Sequence, residues 1–502
     1  MHAIKLKGLT KAFGQVIANS EIDLAVRQGE ILALLGENGS GKTTLMNMLS
    51  GLYHPDAGSI MVAGREVQIR SPHDAIALGI GMIHQHFKLV DALTVEENIL
   101  LGTKKRSGNP SGDIAELMRG YDMTVPLDRK VFALSVGEKQ TVEIIKVLYR
   151  GAGVLILDEP TAVLTPQETQ KLFGILRRMR DAGSAIIIIT HKLNEVMEIS
   201  DRVTILRRGK SVATVNTADT SIRALTEMMV GRPVDLSIHR PEPMPAPTKL
   251  SIHHLEVLDE EGMPAIRDIS FEMLGGEILG VAGVAGSGQK ELCEAIAGLA
   301  NVTGGAILYE KHNIVGLTPR QIIDRGISMS FIPEDRLGMG LVGSMGMVDN
   351  MMLKDYRATS NTPLVSRRGA RALATKLVDE LSIVTPSITT PVRQLSGGNV
   401  QKVLLGREIA SGPHILITAY PVRGLDINSS FAIYRMLNEQ KGQGVAVLYI
   451  GEDLDVLLEL SDRIMVLCGG KITGMVDAHS VTKEQLGLMM TGMAQEEAMT
   501  HG

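Results

Sequence analysis

Short apolar runs alternate with longer amphipathic segments along most of the chain. Segment 166–180 is predicted to be a helix, with Thr165 as its N-cap and Pro166 at its first position. The apolar runs are short and rich in branched residues, as expected for strands covered on both faces of a parallel sheet. The pattern therefore predicts an α/β fold. The six predicted central strands are 31–35, 154–157 and 185–190 in the first half and 277–282, 415–418 and 445–450 in the second.

The second half of the chain repeats the order of motifs in the first. Residues 134–140 read Leu-Ser-Val-Gly-Glu-Lys-Gln, and residues 395–401 read Leu-Ser-Gly-Gly-Asn-Val-Gln. The offset of 395 − 134 = 261 also separates Pro160 from Pro421. One offset held over so many residues indicates a tandem duplication.

A proline-rich segment marks the seam between the halves. Proline alternates with other residues from 240 to 247, which disfavours a helix and predicts an extended, semi-rigid spacer. We expect one domain over 1–234, a linker over 235–248, a second domain over 249–492 and a tail over 493–502.

Composition restricts the class of protein. The 502 residues are 44% hydrophobic and 21% charged, with a net charge of −5, so we expect a globular, multidomain protein without a nucleic-acid-binding surface. No apolar run reaches the roughly 18 residues that span a bilayer. Cys293 and Cys468 are the only cysteines and the start lacks a signal peptide, so a cytoplasmic location is expected.

Residues 36–44 carry the phosphate-loop pattern G-x-x-x-x-G-K-[ST]. They lie between a predicted strand and a predicted helix, which is the context this pattern requires. Backbone N–H groups would cradle phosphate oxygens, Lys42 would reach the β- and γ-phosphates, and Thr43 would ligate Mg²⁺. The alternative is a plain glycine-rich turn before a helix. The expected nucleotide contacts are Gly36, Glu37, Asn38, Gly39, Ser40, Gly41, Lys42, Thr43 and Thr44.

Two acids follow the apolar run 154–157. Ligands bind at the carboxyl ends of parallel strands, so Asp158 and Glu159 are expected beside the phosphate loop. Asp158 would hold the Mg²⁺ shell, and Glu159 would polarise the attacking water as a general base.

Together these motifs resemble the ATP-binding cassette (ABC) ATPases. The resemblance rests on the phosphate loop, Leu-Ser-Val-Gly-Glu at 134–138, the run into Asp158-Glu159-Pro160, and Thr190-His191. It covers nearly the whole chain. It implies two tandem P-loop cassettes, each with a mainly parallel sheet and helices, an antiparallel β subdomain and a helical signature subdomain.

The resemblance assigns further roles in the first half. It implies that Gln85 contacts Mg²⁺ and the attacking water, so the metal ligands would be Thr43, Gln85 and Asp158. His191 would contact the γ-phosphate, and Phe13 would stack on adenine. ATP and Mg²⁺ are the cofactors implied.

The second half lacks the matching chemical groups. Gln289 stands where Lys42 stands, and Lys290 stands where Thr43 stands. The acids at 158–159 are replaced by Ala419-Tyr420, Gln85 by Glu334 and His191 by Glu452, and no aromatic residue lies between 249 and 270. We predict that this half does not hydrolyse ATP at its own loop.

Cassettes of this family work as head-to-tail pairs, in which the signature of one completes the nucleotide site of the other. The second-half signature is intact, whereas Val136 replaces the first glycine of the other. The resemblance therefore implies one complete nucleotide site. Its additional contacts would be Ser396, Gly397, Gly398 and Asn399.

Fused cassettes with a degenerate second half, including Pro-Glu-Asp-Arg at 333–336, resemble the ATP-binding subunits of bacterial simple-sugar importers of the ribose and galactose type. The residues at 84–90 and 93–98 look closest to the nucleoside-importing branch of that group. The resemblance implies a peripheral subunit on the cytoplasmic face of the inner membrane. Its partners would be two integral-membrane permease subunits, contacted through 86–100 and 335–352, and indirectly an extracytoplasmic solute-binding protein. No nucleic acid and no transported solute would be contacted.

The alternative is a soluble twin-cassette ATPase acting on ribosomes or DNA. Ribosome-acting members typically carry a long charged linker and two working sites, and DNA-repair members carry zinc-binding cysteine clusters. This chain has a short proline-rich linker, one complete set of motifs and two isolated cysteines. A non-catalytic scaffold is a third possibility, and the full residue set of the first half argues against it.

Overall fold

The structure is a computed structural model that describes residues 2–85, 87–103, 109–233, 236–242, 246–325, 329–355 and 366–492. His86 of the motif at 84–90 and the predicted tail at 493–502 lie outside the described residues. The chain divides into two compact units, residues 1–236 and 237–502.

The first unit contains a four-stranded and a six-stranded sheet. Its strands are β1 His2–Phe13, β2 Val16–Arg27, β3 Glu30–Leu35, β4 Ala57–Val62, β5 Arg65–Val67, β6 Ile80–Ile83, β7 Val154–Asp158, β8 Ala185–Ile189, β9 Arg202–Arg207 and β10 Lys210–Asn216. The larger sheet has the order β10-β9-β3-β8-β7-β6, in which only the β9–β10 pair is antiparallel. The antiparallel sheet has the order β2-β1-β4-β5. Every residue of β3 and β8 is buried, which explains why these strands are apolar at nearly every position.

Helices cover the central sheet of the first unit. They are α1 Lys42–Leu49, α2 Pro72–Ala77, α3 Val95–Leu100, α4 Pro110–Gly120, α5 Val136–Tyr149, α6 Pro166–Asp181, α7 Leu193–Ile199 and α8 Ile222–Val230, with 3₁₀ turns at Val131–Ala133 and Thr217–Asp219. Helix α6 confirms the predicted start. Thr165 is its N-cap in a capping box with Glu168, and Pro166 opens the first turn.

The second unit repeats this architecture. Its strands are β11 Thr248–Leu258, β12 Pro264–Leu274, β13 Ile278–Ala282, β14 Asn301–Tyr309, β15 His312–Asn313, β16 Met329–Ile332, β17 Ile415–Ala419, β18 Ala446–Ile450, β19 Arg463–Cys468 and β20 Lys471–Asp477. The sheets have the orders β12-β11-β14-β15 and β16-β17-β18-β13-β19-β20. All six predicted central strands of the chain are present, each within one residue of its predicted bounds.

The helices of the second unit follow the same plan. They are α9 Gln289–Ile296, α10 Pro319–Asp324, α11 Met347–Asp355, α12 Arg368–Glu380, α13 Gly397–Ala410, α14 Ile427–Gly442, α15 Leu454–Leu460 and α16 Lys483–Met490, with a short π-helix at Arg336–Gly340 and a 3₁₀ turn at Val392–Gln394. Among the helices of the described ranges, none has both the length and the apolar character needed to cross a membrane.

Part of the proline-rich segment is bound to the second unit. The Lys441 ammonium, only 1% exposed, donates to the Pro241 carbonyl and to Asp462 Oδ1, the latter at 2.6 Å. The other oxygen of Asp462 accepts from the Ile278 N–H at 2.8 Å. The Arg240 guanidinium donates to backbone carbonyls at the end of α15. Residues 240–241, which lie within the predicted linker 235–248, are therefore bonded to the second unit.

Candidate nucleotide-binding site

The phosphate loop is a tight turn between β3 and α1. Gly39 and Gly41 have φ angles of 79° and 99°, in the left-handed region that favours glycine. A Cβ on Gly41 would collide with the Ala18 carbonyl and the Asn19 side chain. The Asn19 amide donates to the Gly41 carbonyl at 3.2 Å, so the β1–β2 hairpin is bonded to the loop. No motif or periodic pattern in the sequence indicates this contact.

Lys42 folds back over the loop. Its Nζ donates to the carbonyls of Gly36 at 2.6 Å and Glu37 at 3.1 Å. Burial lowers the pKa of this ammonium, and the charges of Glu159 and Asp158 oppose that shift. Lys42 and the two predicted acids therefore share one electrostatic environment.

The two acids lie at the end of β7, next to the loop. Asp158 is the last residue of the strand, and burial, followed by the charge of Glu159, raises its pKa. Glu159 has φ 49° and donates its N–H to the Ile189 carbonyl at 2.8 Å. A left-handed backbone at a glutamate is costly, and such residues cluster at functional sites.

His191 contacts the candidate base. Its Nδ1 lies 3.0 Å from Glu159 Oε1 and 2.9 Å from Oε2, where β8 ends beside β7. The Glu159 side chain is mostly buried, whereas the His191 ring is largely exposed. Gln85 is exposed just beyond the end of β6, the strand on the other side of β7. The first unit thus gathers Lys42, Asp158, Glu159 and His191 at one edge of the sheet.

Phe13 and Thr43, like Gln85, lie on the surface of the first unit. Phe13, at the end of β1, is 44% exposed, and Thr43, in the first turn of α1, is exposed as well. Phe13 is therefore not a core residue, which is the role a lone phenylalanine usually has.

The second unit keeps the loop and loses its charge. Gly288 has φ 100° at the start of α9, matching Gly41. Gln289 is 2% exposed, and its Nε2 donates to the Val284 carbonyl at 3.1 Å, so it makes the lysine's loop contact without a charge. Lys290 lies within 3.3 Å of Glu260 and 3.8 Å of Glu294, and it is directed to those acids.

An arginine connects the residues of the second unit that correspond to Gln85, Glu159 and His191. Arg423 bonds to Glu334, contacts Glu452 with Nε 3.2 Å from Oε1, and lies over the Tyr420 ring, 5.9 Å from its centroid. Glu334, Glu452 and Tyr420 stand at the positions of Gln85, His191 and Glu159. No motif in the sequence indicates Arg423, and the one available signal is that its counterpart at the offset of 261 is the small Ala162.

The two signature helices also begin differently. In α5, Ser135 and Glu138 form a capping box, with the Ser135 N–H donating to Glu138 at 2.8 Å and the Glu138 N–H donating to Ser135 at 3.2 Å. In α13, Ser396 caps no N–H of its own helix and accepts instead from the Asn399 side chain at 2.8 Å. The first turn of α13 is thus open to an anion, whereas Glu138 closes α5.

The comparisons with known proteins agree with this geometry. The family described as ABC transporter matches residues 20–162 and 266–421. The chain is 43% identical to the guanosine import ATP-binding protein NupO of Bacillus subtilis, covering 99% of each. It is 41% identical to the nucleoside import ATP-binding protein NupA of Lactococcus lactis, covering 97% of this chain and 98% of that protein. It is 40% identical to the glucose import ATP-binding protein TsgD13 of Haloferax volcanii, covering 97% of this chain and 96% of that protein.

Proposed function

The chain belongs to the ABC transporter family, and from that membership we propose that it is the ATP-hydrolysing subunit of an importer. The observation that carries the proposal is the contact between Glu159 and His191 beside Lys42 and Asp158. A buried carboxylate paired with a histidine at a phosphate loop is equipped to orient and deprotonate a water.

The residues of the first unit fit Mg²⁺-ATP. Asp158, Thr43 and Gln85 offer only oxygen ligands, which are the ligands that Mg²⁺ prefers. Bound Mg²⁺ would neutralise phosphate charge. Lys42 would bind the β- and γ-phosphates, Glu159 would take the proton of the attacking water, and His191 would hold the Glu159 carboxylate in place and contact the γ-phosphate.

We propose that hydrolysis is confined to the first unit. Gln289 supplies no charge, Ala419 supplies no metal ligand, and Tyr420 supplies no base. Burial raises the pKa of the Tyr420 hydroxyl well above its usual range, so it stays protonated and cannot replace Glu159. Ser396, Gly397, Gly398 and Asn399 stay predicted nucleotide contacts, supported by the open first turn of α13.

Membrane permease subunits are the proposed partners. Apolar side chains are exposed in the predicted contact segment 335–352, namely Leu337, Met339, Val342 and Met345, and Val90 is exposed in 86–100. Exposed apolar residues grouped in this way favour a protein partner. The subunit would then lie peripherally on the inner face of the membrane, with a solute-binding protein outside.

Nucleosides are the proposed cargo. Two of the three relatives named above are named as guanosine or nucleoside import proteins, which is the branch that the residues at 84–90 and 93–98 resemble. The glucose relative, at nearly the same identity, keeps simple sugars as the second candidate.

Reconstitution tests the proposal. The full chain, purified from detergent-solubilised membranes, is expected to bring down two hydrophobic permease subunits. Proteoliposomes containing the assembly and its solute-binding protein are expected to take up labelled guanosine faster than ribose or glucose, and only with ATP. The Glu159→Gln variant is the matched control without hydrolysis. Recovery of ribosomes in place of permeases would overturn the importer proposal, and uptake of sugars alone would overturn the nucleoside cargo.

A further inference from the structure

Phe13 is one of two aromatic rings that lie side by side on the surface of the first unit. The Tyr53 ring meets it with centroids 5.3 Å apart and planes at 72°, and Tyr53 is 39% exposed. The chain has only 7 Phe, 8 Tyr and no Trp, so two exposed aromatic rings in contact are not explained by abundance. Rings at nearly a right angle form a corner with two apolar walls.

The backbone ties both rings to the phosphate loop. Phe13 is on the β1–β2 hairpin, which Asn19 bonds to Gly41 at 3.2 Å. Tyr53 follows α1, the helix that the loop opens, and its N–H donates to the Asn47 carbonyl at 3.0 Å. The corner and the loop are therefore placed by the same two elements.

A salt bridge connects the two chain segments that carry the rings. The Asp56 carboxylate accepts from Lys11 Nζ at 2.8 Å and from the Ala12 N–H at 2.7 Å. Lys11 Nζ also lies 5.6 Å from the centroid of the Phe13 ring. These contacts join the residues next to Phe13 to the residues next to Tyr53.

We propose that Tyr53 is a second wall of the nucleobase subsite and selects purine over pyrimidine nucleoside triphosphates. A bicyclic purine can contact both Phe13 and Tyr53, whereas a single-ring pyrimidine covers only one wall. In the second unit, Ala300 follows Gly298-Leu299 where Tyr53 follows Gly51-Leu52, so this wall is lost together with the hydrolytic groups. The inference rests on the proposed function, because it assumes that ATP occupies the first loop.

Tyr53→Leu tests the inference, with Tyr53→Phe as the matched control that keeps the ring. In the full chain we expect Tyr53→Leu to raise KM for ATP and GTP by about two- to tenfold, the size expected of one aromatic contact. KM for CTP and UTP, kcat for all four, and inhibition by inorganic tripolyphosphate should stay within about twofold, because the phosphate loop is untouched. Tyr53→Phe should behave as the unsubstituted chain does.

Several results would overturn the inference. One is an unchanged purine-to-pyrimidine ratio in Tyr53→Leu, and another is an equal loss for all four nucleotides and tripolyphosphate. Equilibrium binding of the four nucleotides gives the same readout without hydrolysis. If the chain binds ATP but does not hydrolyse it, the proposed function is wrong, and the Tyr53 inference can still be tested by binding. If the chain hydrolyses ATP and Tyr53→Leu has no effect, only the Tyr53 inference is wrong.

Discussion

The loops that follow β3 and β13 make the same turn, with a left-handed glycine at 41 and at 288, yet only the first ends in a cation. Glu159 and Tyr420 also have the same backbone geometry but different side chains. Both have φ 49° and both donate an N–H to the last residue of the adjacent strand, at 2.8 Å and 2.9 Å. The second unit therefore has the same backbone geometry as the first at these positions, but it lacks the side chains to which catalytic roles are assigned in the first.

The largest difference between the units should appear in hydrolysis. Glu159→Gln removes the candidate base and is expected to lower kcat by about 10²–10⁴-fold, the range typical of a general base. Tyr420→Phe should change kcat less than about twofold, because that hydroxyl stays protonated. Steady-state phosphate release measures both, and a comparable loss from the two variants would contradict one-site hydrolysis.

The next difference is in stability. Lys441→Ala would leave Asp462 buried without its cation, which typically costs about 3–5 kcal/mol. The counterpart pair in the first unit, Arg180 and Asp201, is partly exposed at 3.2 Å, so Arg180→Ala should cost at most about 1 kcal/mol. Urea unfolding followed by hydrogen exchange reports each unit separately. An equal loss in the free energy of unfolding from the two variants would show that burial of the Lys441–Asp462 pair does not increase the cost of breaking it.

Exchanging the loop residues tests the role of charge. Lys42→Gln copies the second unit and should raise KM for ATP about 10–100-fold, since a hydrogen bond to a charged group contributes about 1.5–3 kcal/mol. Gln289→Lys should leave activity unchanged, because Ala419 and Tyr420 still lack a metal ligand and a base. A gain of hydrolysis in Gln289→Lys combined with Glu159→Gln would contradict this view.

The smallest effect is expected at the arginine cluster. Arg423→Ala breaks two partly exposed ion pairs, so we expect a loss of about 1 kcal/mol or less in the second unit and unchanged hydrolysis. Thermal unfolding and ATPase assays measure the two quantities. A loss of hydrolysis as large as that of Glu159→Gln would show that the cluster serves catalysis.

Sequence patterns predicted what depends on local order. The apolar run at 154–157 and the acids after it specify a buried strand that ends at a site, and the structure places Asp158 and Glu159 there. The pairing of Glu159 with His191 was not predicted, because the resemblance assigned His191 only a contact with the γ-phosphate. The roles of Thr43, Gln85 and Ser396 stay predictions.

Contacts between distant segments could not be predicted in the same way. Arg423 meets Glu334 across 89 positions and Lys441 meets Pro241 across 200, and neither pair has a periodic signature. Tyr53 was overlooked because its partner Phe13 is forty residues away in the chain and only the folded hairpin brings them together. Such pairs depend on tertiary packing, which one sequence does not encode in any short window.

The anchoring of Arg240 and Pro241 has a practical consequence for dissecting the chain. A fragment beginning at β11 would strip Lys441 of the carbonyl it bonds and admit water to its pair with Asp462. A fragment beginning at Ser237 keeps that contact, so the second cassette should be cut there for separate study. For the same reason, we expect limited proteolysis to cleave the chain on the N-terminal side of Arg240, so that Arg240 and Pro241 stay attached to the second cassette.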